Sequence, residues 1–137
     1  MFQIFPLLAI SLVVYVVLTL VIGPEWTNQI LLSVEMVSKD NWVVSYGDAF
    51  IITSMAFLFI EILRATQTGT DSILNHVFSF VVFVVALLVF LFLEGCGNSV
   101  FFVFLTMTLL DFMAGFIVTT MAARRDFGVA GGALGGG

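Results

Sequence analysis

Four apolar runs divide the chain, each closed by polar or helix-breaking residues. Residues 4–22, IFPLLAISLVVYVVLTLVI, stop at Gly23-Pro24, and residues 47–64, GDAFIITSMAFLFIEILR, stop at Arg64. Residues 76–94, HVFSFVVFVVALLVFLFLE, precede a Gly-Cys-Gly turn, and residues 99–123, SVFFVFLTMTLLDFMAGFIVTTMAA, precede Arg124-Arg125-Asp126. A helix needs about 20 mainly apolar residues to cross about 30 Å of hydrocarbon. Val, Ile and Phe favour strands in water, but in lipid a backbone must satisfy its own hydrogen bonds, so continuous runs of this length are helical. FVVFVVALLVFLFL also lacks the alternation of an outer-membrane strand. The pattern predicts an all-α integral membrane protein with four transmembrane helices in an antiparallel bundle. The first run has no basic residues before it and no A-x-A site, so it reads as a retained span and not as a cleaved signal.

The connections differ in character. Residues 23–46 are long and acidic, and within them TNQILLSVEMVSKD sets Ile30, Val34 and Val37 at helical spacing with Leu31 beside them. With Trp26 and Trp42 on either side, this predicts a short interfacial helix between spans one and two, lying on the membrane or against the bundle. ATQTGTDS and GCGNS are short links, which make spans two, three and four antiparallel neighbours. Residues 1–126 thus form a single four-span domain, followed by a flexible Gly-rich tail over 127–137.

Composition adds what the pattern leaves open. The chain is 61% hydrophobic and 9% charged, with mean hydropathy +1.22. A soluble domain carries about 25% charged residues, so the expected solvent of this surface is the lipid bilayer. The net charge of −5 and only four basic residues argue against nucleic acid, which needs clustered Lys and Arg. A single cysteine, Cys96, and a single histidine, His76, leave no CxxC or HExxH pattern. No metal and no cofactor are expected. Cys96 reads as a turn residue, with a disulfide to a partner the lesser option. Arg64, Arg124 and Arg125 fall on one side of the spans and Lys39 on the other. The positive-inside rule then puts both termini in the cytoplasm, in a plasma or bacterial inner membrane.

Asp111 is the residue that asks for chemistry. At 1.5 Å per residue it lies about 18–20 Å along its helix from both Asn98 and Arg124, near the membrane midplane. A charged Asp there costs on the order of 2.5–3.5 kcal/mol even on the lenient insertion scale, so the neutral acid is the expected resting form unless a cation or water reaches it. Thr108 and Gly115 share its face, and Gly115, Thr119 and Ala123 form a small-xxx-small ridge that admits a second helix. Phe102, Leu105, Leu109 and Phe116 cover the other side. Tyr15, near the middle of span one, is the preferred internal partner for the carboxyl group. On the cytoplasmic side Glu61, Arg64, His76 and Arg124 could form a polar cluster, with Glu61 and Arg64 spaced for an ion pair. His76 and Asp111 come out about half a membrane apart on this counting, so no catalytic triad is expected. Asp48, after Tyr46-Gly47, fits a helix cap.

No catalytic motif stands in the chain, and a non-enzymatic protein is expected. The leading expectation is an accessory or assembly subunit of a larger membrane complex, contacting other membrane subunits or itself through the Asp111 face. The alternative is a homo-oligomeric proton- or ion-conducting protein using Asp111, with Glu61 and His76 as relay groups.

Overall fold

A computed structural model describes residues 5–66 and 70–133. Helix α1 (Leu7–Ile22) leads into a 3-10 turn (Pro24–Asn28) and a hairpin of strands β1 (Ile30–Glu35) and β2 (Asn41–Ser45). Helices α2 (Tyr46–Ala65), α3 (Thr70–Phe92) and α4 (Ser99–Ala133) follow. The chain is mostly helical, as the hydropathy pattern predicts, and three segments are long and apolar enough to cross a membrane: Tyr46–Ala65, Ile73–Phe92 and Ser99–Arg125. Helix α1 is apolar but has 16 residues, about 24 Å at 1.5 Å per residue, and falls short of the expected full span. Pro6 occupies its N-cap and Gly23, at φ +101°, ends it. The expected tail also differs in part. Helix α4 runs on through Arg124 and Arg125 to Ala133, although Gly128, Gly131 and Gly132 are poor helix formers, and residues 134–137 lie outside the described residues.

The interfacial helix expected between spans one and two is instead the β1–β2 hairpin. Leu32 pairs with Val44, Val34 with Trp42 and Ser33 with Val43, and an irregularity between Ile30 and Leu32 shifts the register at the base. Leu32, Val34, Trp42 and Val44 share one face, so period-two alternation outweighs the helical spacing of Ile30, Val34 and Val37. The turn decides the matter. Lys39 N–H bonds Met36 O at 2.8 Å, Met36 N–H bonds Asp40 O at 2.8 Å, and Lys39 takes φ 69°, the three-residue hairpin loop with a left-handed last residue. Strand β2 passes directly into α2 through a capping box. Ser45 Oγ accepts from Asp48 N–H at 3.1 Å, and the Asp48 carboxylate accepts from Ser45 N–H at 2.8 Å.

Helix α4 is the centre of the packing, with α3 antiparallel to it on one side and α2 parallel to it on another. Helices α2 and α3, though consecutive, scarcely touch, so the expectation that spans two, three and four pack as sequential neighbours holds only for α3 and α4. A close approach explains the choice: Gly47 lets α2 pass so near α4 that a Cβ there would meet Val100 at 2.9 Å. The tight turn before Ser99 locks the register of α3 on α4. Phe90 stacks on Phe101 with centroids 6.2 Å apart, and farther along Phe80 meets Phe112 at 5.0 Å.

Near the hairpin, Tyr15 is the hub of an aromatic cluster, edge-on to Trp26, Phe50 and Phe101 at 5.1, 5.1 and 4.8 Å. Asn98 ties the cluster to α4: its Nδ2 donates to Tyr15 Oη at 2.8 Å, while its Oδ1 caps the helix by accepting from Phe101 N–H at 3.0 Å. Cys96 is fully buried in the adjoining turn, where a disulfide to a partner has no access.

Polarity is distributed inside out. Val13, Leu20, Val21, Phe59, Phe92 and Phe116 are more than half exposed, whereas Ser54, Glu61, Asn75, His76, Ser79 and Asp111 are buried. A water-facing domain buries its large apolar side chains and exposes its charged ones. This exterior suits hydrocarbon.

Candidate functional site: a buried acid pair

The site is assembled by four helices. On α2 the buried stripe Phe50, Ser54, Leu58, Glu61 and Ala65 follows the helical repeat, so Glu61 is carried inward by the same periodicity that buries its apolar neighbours. Its side chain is 0% exposed. Oε1 of Glu61 accepts the Leu7 N–H, with the Leu8 N–H alongside. These are the first amides of α1, which Pro6 cannot cap because its side chain has no acceptor. Glu61 therefore supplies from α2 the N-cap that α1 lacks, and the positive end of the α1 dipole is directed at a carboxylate. Oε2 of Glu61 is buried and meets no N–H or hydroxyl donor; the carboxyl group's other hydrogen-bonding neighbour is Asp111.

Asp111, 5% exposed, faces this carboxyl group from α4. Thr108, one turn earlier, is buried and donates to Leu105 O at 2.7 Å, so its hydroxyl is spent on its own helix. Gly115, one turn later, makes room for the His76 ring: a Cβ on Gly115 would come within 2.1 Å of Nδ1 and 2.6 Å of Cε1 and Cγ. From α3, His76 acts electrostatically on Asp111. Ser79, one turn along α3, brings Oγ beside the Asp111 carboxyl without a hydrogen bond of ordinary geometry. Arg64 acts on Glu61 more weakly than the other neighbours do, and its buried Nη1 finds no acceptor.

Two carboxyl groups thus face each other in an apolar interior, with an α-helix N-terminus on one and a histidine near the other. Such a pair holds one negative charge far more readily than two. Counting from the hairpin ends of the helices at 1.5 Å per residue, Asp111, Glu61 and Leu7 lie about 18–23 Å down, past the middle of a 30 Å layer. Between Asp111 and the hairpin end, the buried face of α4 carries Phe101, Phe104, Leu105 and Met107. An open cleft of about 660 Å³, lined by Glu25, Asn28, Glu94 and Asn98 among others, lies beyond that apolar stretch.

Three of the sequence expectations meet in one place and others do not. Glu61, Arg64 and His76 come together, and they do so around Asp111, which the depth counting had set apart from them. Arg124 is exposed and contributes nothing to the cluster. Tyr15 is not the partner of Asp111; its hydroxyl is bound to Asn98 at the hairpin end. The ridge divides. Gly115 is covered by His76 within the chain, Thr119 is half-buried and donates to Gly115 O at 2.9 Å, and Ala123 is exposed. Ser79 and the α1 N-terminus are additions. The signal for Ser79 is the short turn between α3 and α4: pairing residues outward from it, as Phe90 with Phe101 and Phe80 with Phe112, brings Ser79 to Asp111 and His76 to Gly115. Among the described residues no group of three or more His, Cys, Asp or Glu side chains is placed to hold a metal ion.

Comparison with known proteins gives no family model, no curated protein and no solved structure that matches the chain.

Proposed function

We propose that the protein is a non-enzymatic membrane protein that takes up and releases protons at the Glu61–Asp111 pair. In this reading α2, α3 and α4 cross the bilayer, and α1 enters from the hairpin side to end at the acid pair. The end carrying Arg64, Arg124 and Arg125 faces the cytoplasm, following the positive-inside rule. Ionisable groups buried among apolar helices mark proton or ion pathways. The observation that carries the proposal is the meeting of two buried carboxyl groups, Glu61 0% and Asp111 5% exposed, close enough to hydrogen-bond each other, as two acids can only when they hold a proton between them. His76 is the group placed to exchange a proton with Asp111, and Arg64 lies on the route toward the cytoplasmic end.

The test is proton flux into liposomes reconstituted with the protein and loaded with a pH-sensitive dye. Flux that Asp111→Asn and Glu61→Gln abolish, in protein that still elutes as a folded species, supports the proposal. Equal flux in variants and wild type removes it.

A second reading, an accessory subunit of a larger complex, is favoured by one observation: Ala123 and the Leu32–Val34–Trp42 face of the hairpin are left uncovered by the chain itself. Extraction in mild detergent, followed by identification of co-purifying chains, tests it; a monodisperse species without partners counts against it.

A further inference from the structure

The hairpin separates its side chains by chemistry. Leu32 pairs with Val44 and Val34 with Trp42, so these four apolar residues share one face; Ser33 with Val43 and Glu35 with Asn41 make the other, where only Val43 is apolar. Leu32, Val34 and Trp42 are exposed, Trp42 at 55%, whereas Val44, at the base of the same face, is 8% exposed. The apolar face is therefore turned toward the body of the protein, seated at its base and overhanging beyond it.

Helix α2 sets the level of this overhang. Strand β2 ends at Ser45 and α2 begins at Tyr46 with no linker between them, and Ser45 is itself the helix cap. Helix α2 has 20 residues, about 30 Å at 1.5 Å per residue, which matches the hydrocarbon thickness of a bilayer. With α2 across the membrane, the base of the hairpin stands at the headgroup boundary. The helix ends beside it are apolar and exposed, with Leu20, Val21 and Ile22 closing α1 and Tyr46 opening α2. The apolar face thus continues the lipid-facing exterior, and the five residues of β2 extend it by about 17 Å at about 3.4 Å per residue.

Three surroundings compete for this face. A two-stranded hairpin is marginal in water, and one with an open apolar face has least reason to stand there. A stable protein interface takes about 800 Å² and about 20–30 residues from each partner, far more than three side chains offer. The membrane interface receives amphipathic elements along their apolar faces, and tryptophan prefers the headgroup level. Charge selects the kind of lipid. Lys39 is the one basic residue of the hairpin, against Glu35 and Asp40, so an anionic surface offers no attraction.

We propose that the hairpin lies along the bilayer surface, with Leu32, Val34 and Trp42 against the headgroups and upper acyl chains of zwitterionic lipid and with Ser33, Glu35 and Asn41 in water. This rests on the reading that α2, α3 and α4 cross the bilayer. Through the capping box, the hairpin then holds α2, and Glu61 upon it, at a fixed depth.

The experiment is fluorescence quenching of the full-length protein in phosphatidylcholine vesicles. The chain has two tryptophans, and subtracting the emission of Trp42→Phe from that of the wild type isolates Trp42 while the buried Trp26 stays in place. Interfacial elements sink only about 5–10 Å, so lipid brominated near the headgroup end of the acyl chain should quench Trp42 about twofold more than lipid brominated near the methyl end. Iodide present on both sides of the membrane should quench it little. Val34→Asp, on the same face, should open Trp42 to iodide, and Ser33→Asp, on the opposite face, should not. Quenching by iodide and by neither lipid overturns the proposal, because the hairpin then stands in water. Shielding from iodide and from both lipids also overturns it, puts a protein chain on this face and favours the accessory-subunit reading. Quenching unchanged by Val34→Asp overturns the choice of face. Flotation of the alkaline-washed vesicles separates these failures from a failure of the spans. Protein that does not float with the lipid refutes the bilayer reading and the hairpin's place with it, whereas protein that floats with Trp42 open to iodide refutes the hairpin's place alone.

Discussion

Gly115→Ala tests the geometry of the site through one methyl group. The added Cβ would sit 2.1 Å from His76 Nδ1 and 2.6 Å from Cε1 and Cγ, against about 3.5–4.0 Å for comfortable contact. The ring has to move by more than 1 Å, and it is buried between α3 and α4. Overpacking of this kind costs about 1–3 kcal/mol, and an overlap with three ring atoms belongs at the upper end. Alanine also gains about 1 kcal/mol of helix propensity over glycine, which leaves a net loss of about 2 kcal/mol. The control is Gly128→Ala on the same helix, where nothing lies within 4 Å; it should be neutral or stabilising. In a His76→Ala background the clash disappears, so Gly115→Ala should there become favourable, a coupling of about 2–3 kcal/mol in a double-mutant cycle. Reversible unfolding in mixed micelles, followed by the fluorescence of the buried Trp26, measures all four species. If Gly115→Ala stabilises the wild type as Gly128→Ala does, His76 does not lie over Gly115 and the assembly of the site is wrong.

Other substitutions read other joints. Glu61→Gln keeps a carbonyl for the Leu7 amide and should leave α1 docked. Glu61→Leu orphans the first α1 amides, at about 1–3 kcal/mol, and hydrogen exchange at Leu7 and Leu8 should speed up only in the second variant. Asn98→Ala removes both the α4 cap and the Tyr15 partner, for a loss of about 1–2 kcal/mol in micelle unfolding. Tyr15→Phe should add little on top of it, because the two side chains share one interaction. Burial pushes the Cys96 thiol up from its ordinary value, and the nearby Thr19 hydroxyl opposes this only in part. The thiolate is the reactive form, so maleimide labelling of the folded protein should be slow at neutral pH. It should rise only above the pH at which a free thiol ionises, and SDS should restore the ordinary rate.

The helical runs were legible because a long apolar segment has few ways to satisfy its backbone. The start of the first is less so: hydropathy marks its end at Gly23-Pro24 but cannot see that Pro6 delays α1 to Leu7, since the residues on either side of Pro6 are equally apolar. The hairpin is ambiguous in the sequence because Ile30, Val34 and Val37 fit a helix while Leu32, Val34 and Trp42 fit a strand. Only the left-handed Lys39 in the loop separates the two, and lysine carries no signal for it. Asp111, Glu61 and His76 were recognisable singly as polar residues in apolar runs. Their meeting was not, because depth was counted from the ends of each run. Helix α3 begins at Thr70, ahead of His76, and the turn between α3 and α4 sets their relative register more securely than hydropathy does. Depth counting sets Tyr15 level with Asp111 because both fall near the middle of their runs; what faces the site from α1 is instead its backbone, through the amides of Leu7 and Leu8.

Whether Glu61 and Asp111 act as one unit is the question on which the rest depends. Infrared difference spectroscopy of the protein in lipid, between acidic and alkaline buffer, answers it with the wild type, Glu61→Gln and Asp111→Asn side by side. A coupled pair gives a carboxyl band whose titration in each single variant moves to a different pH from that of the wild type, because removing one acid changes the charge the other meets. If each remaining acid titrates as it does in the wild type, the two carboxyl groups do not share a site, and the proposed function fails with it.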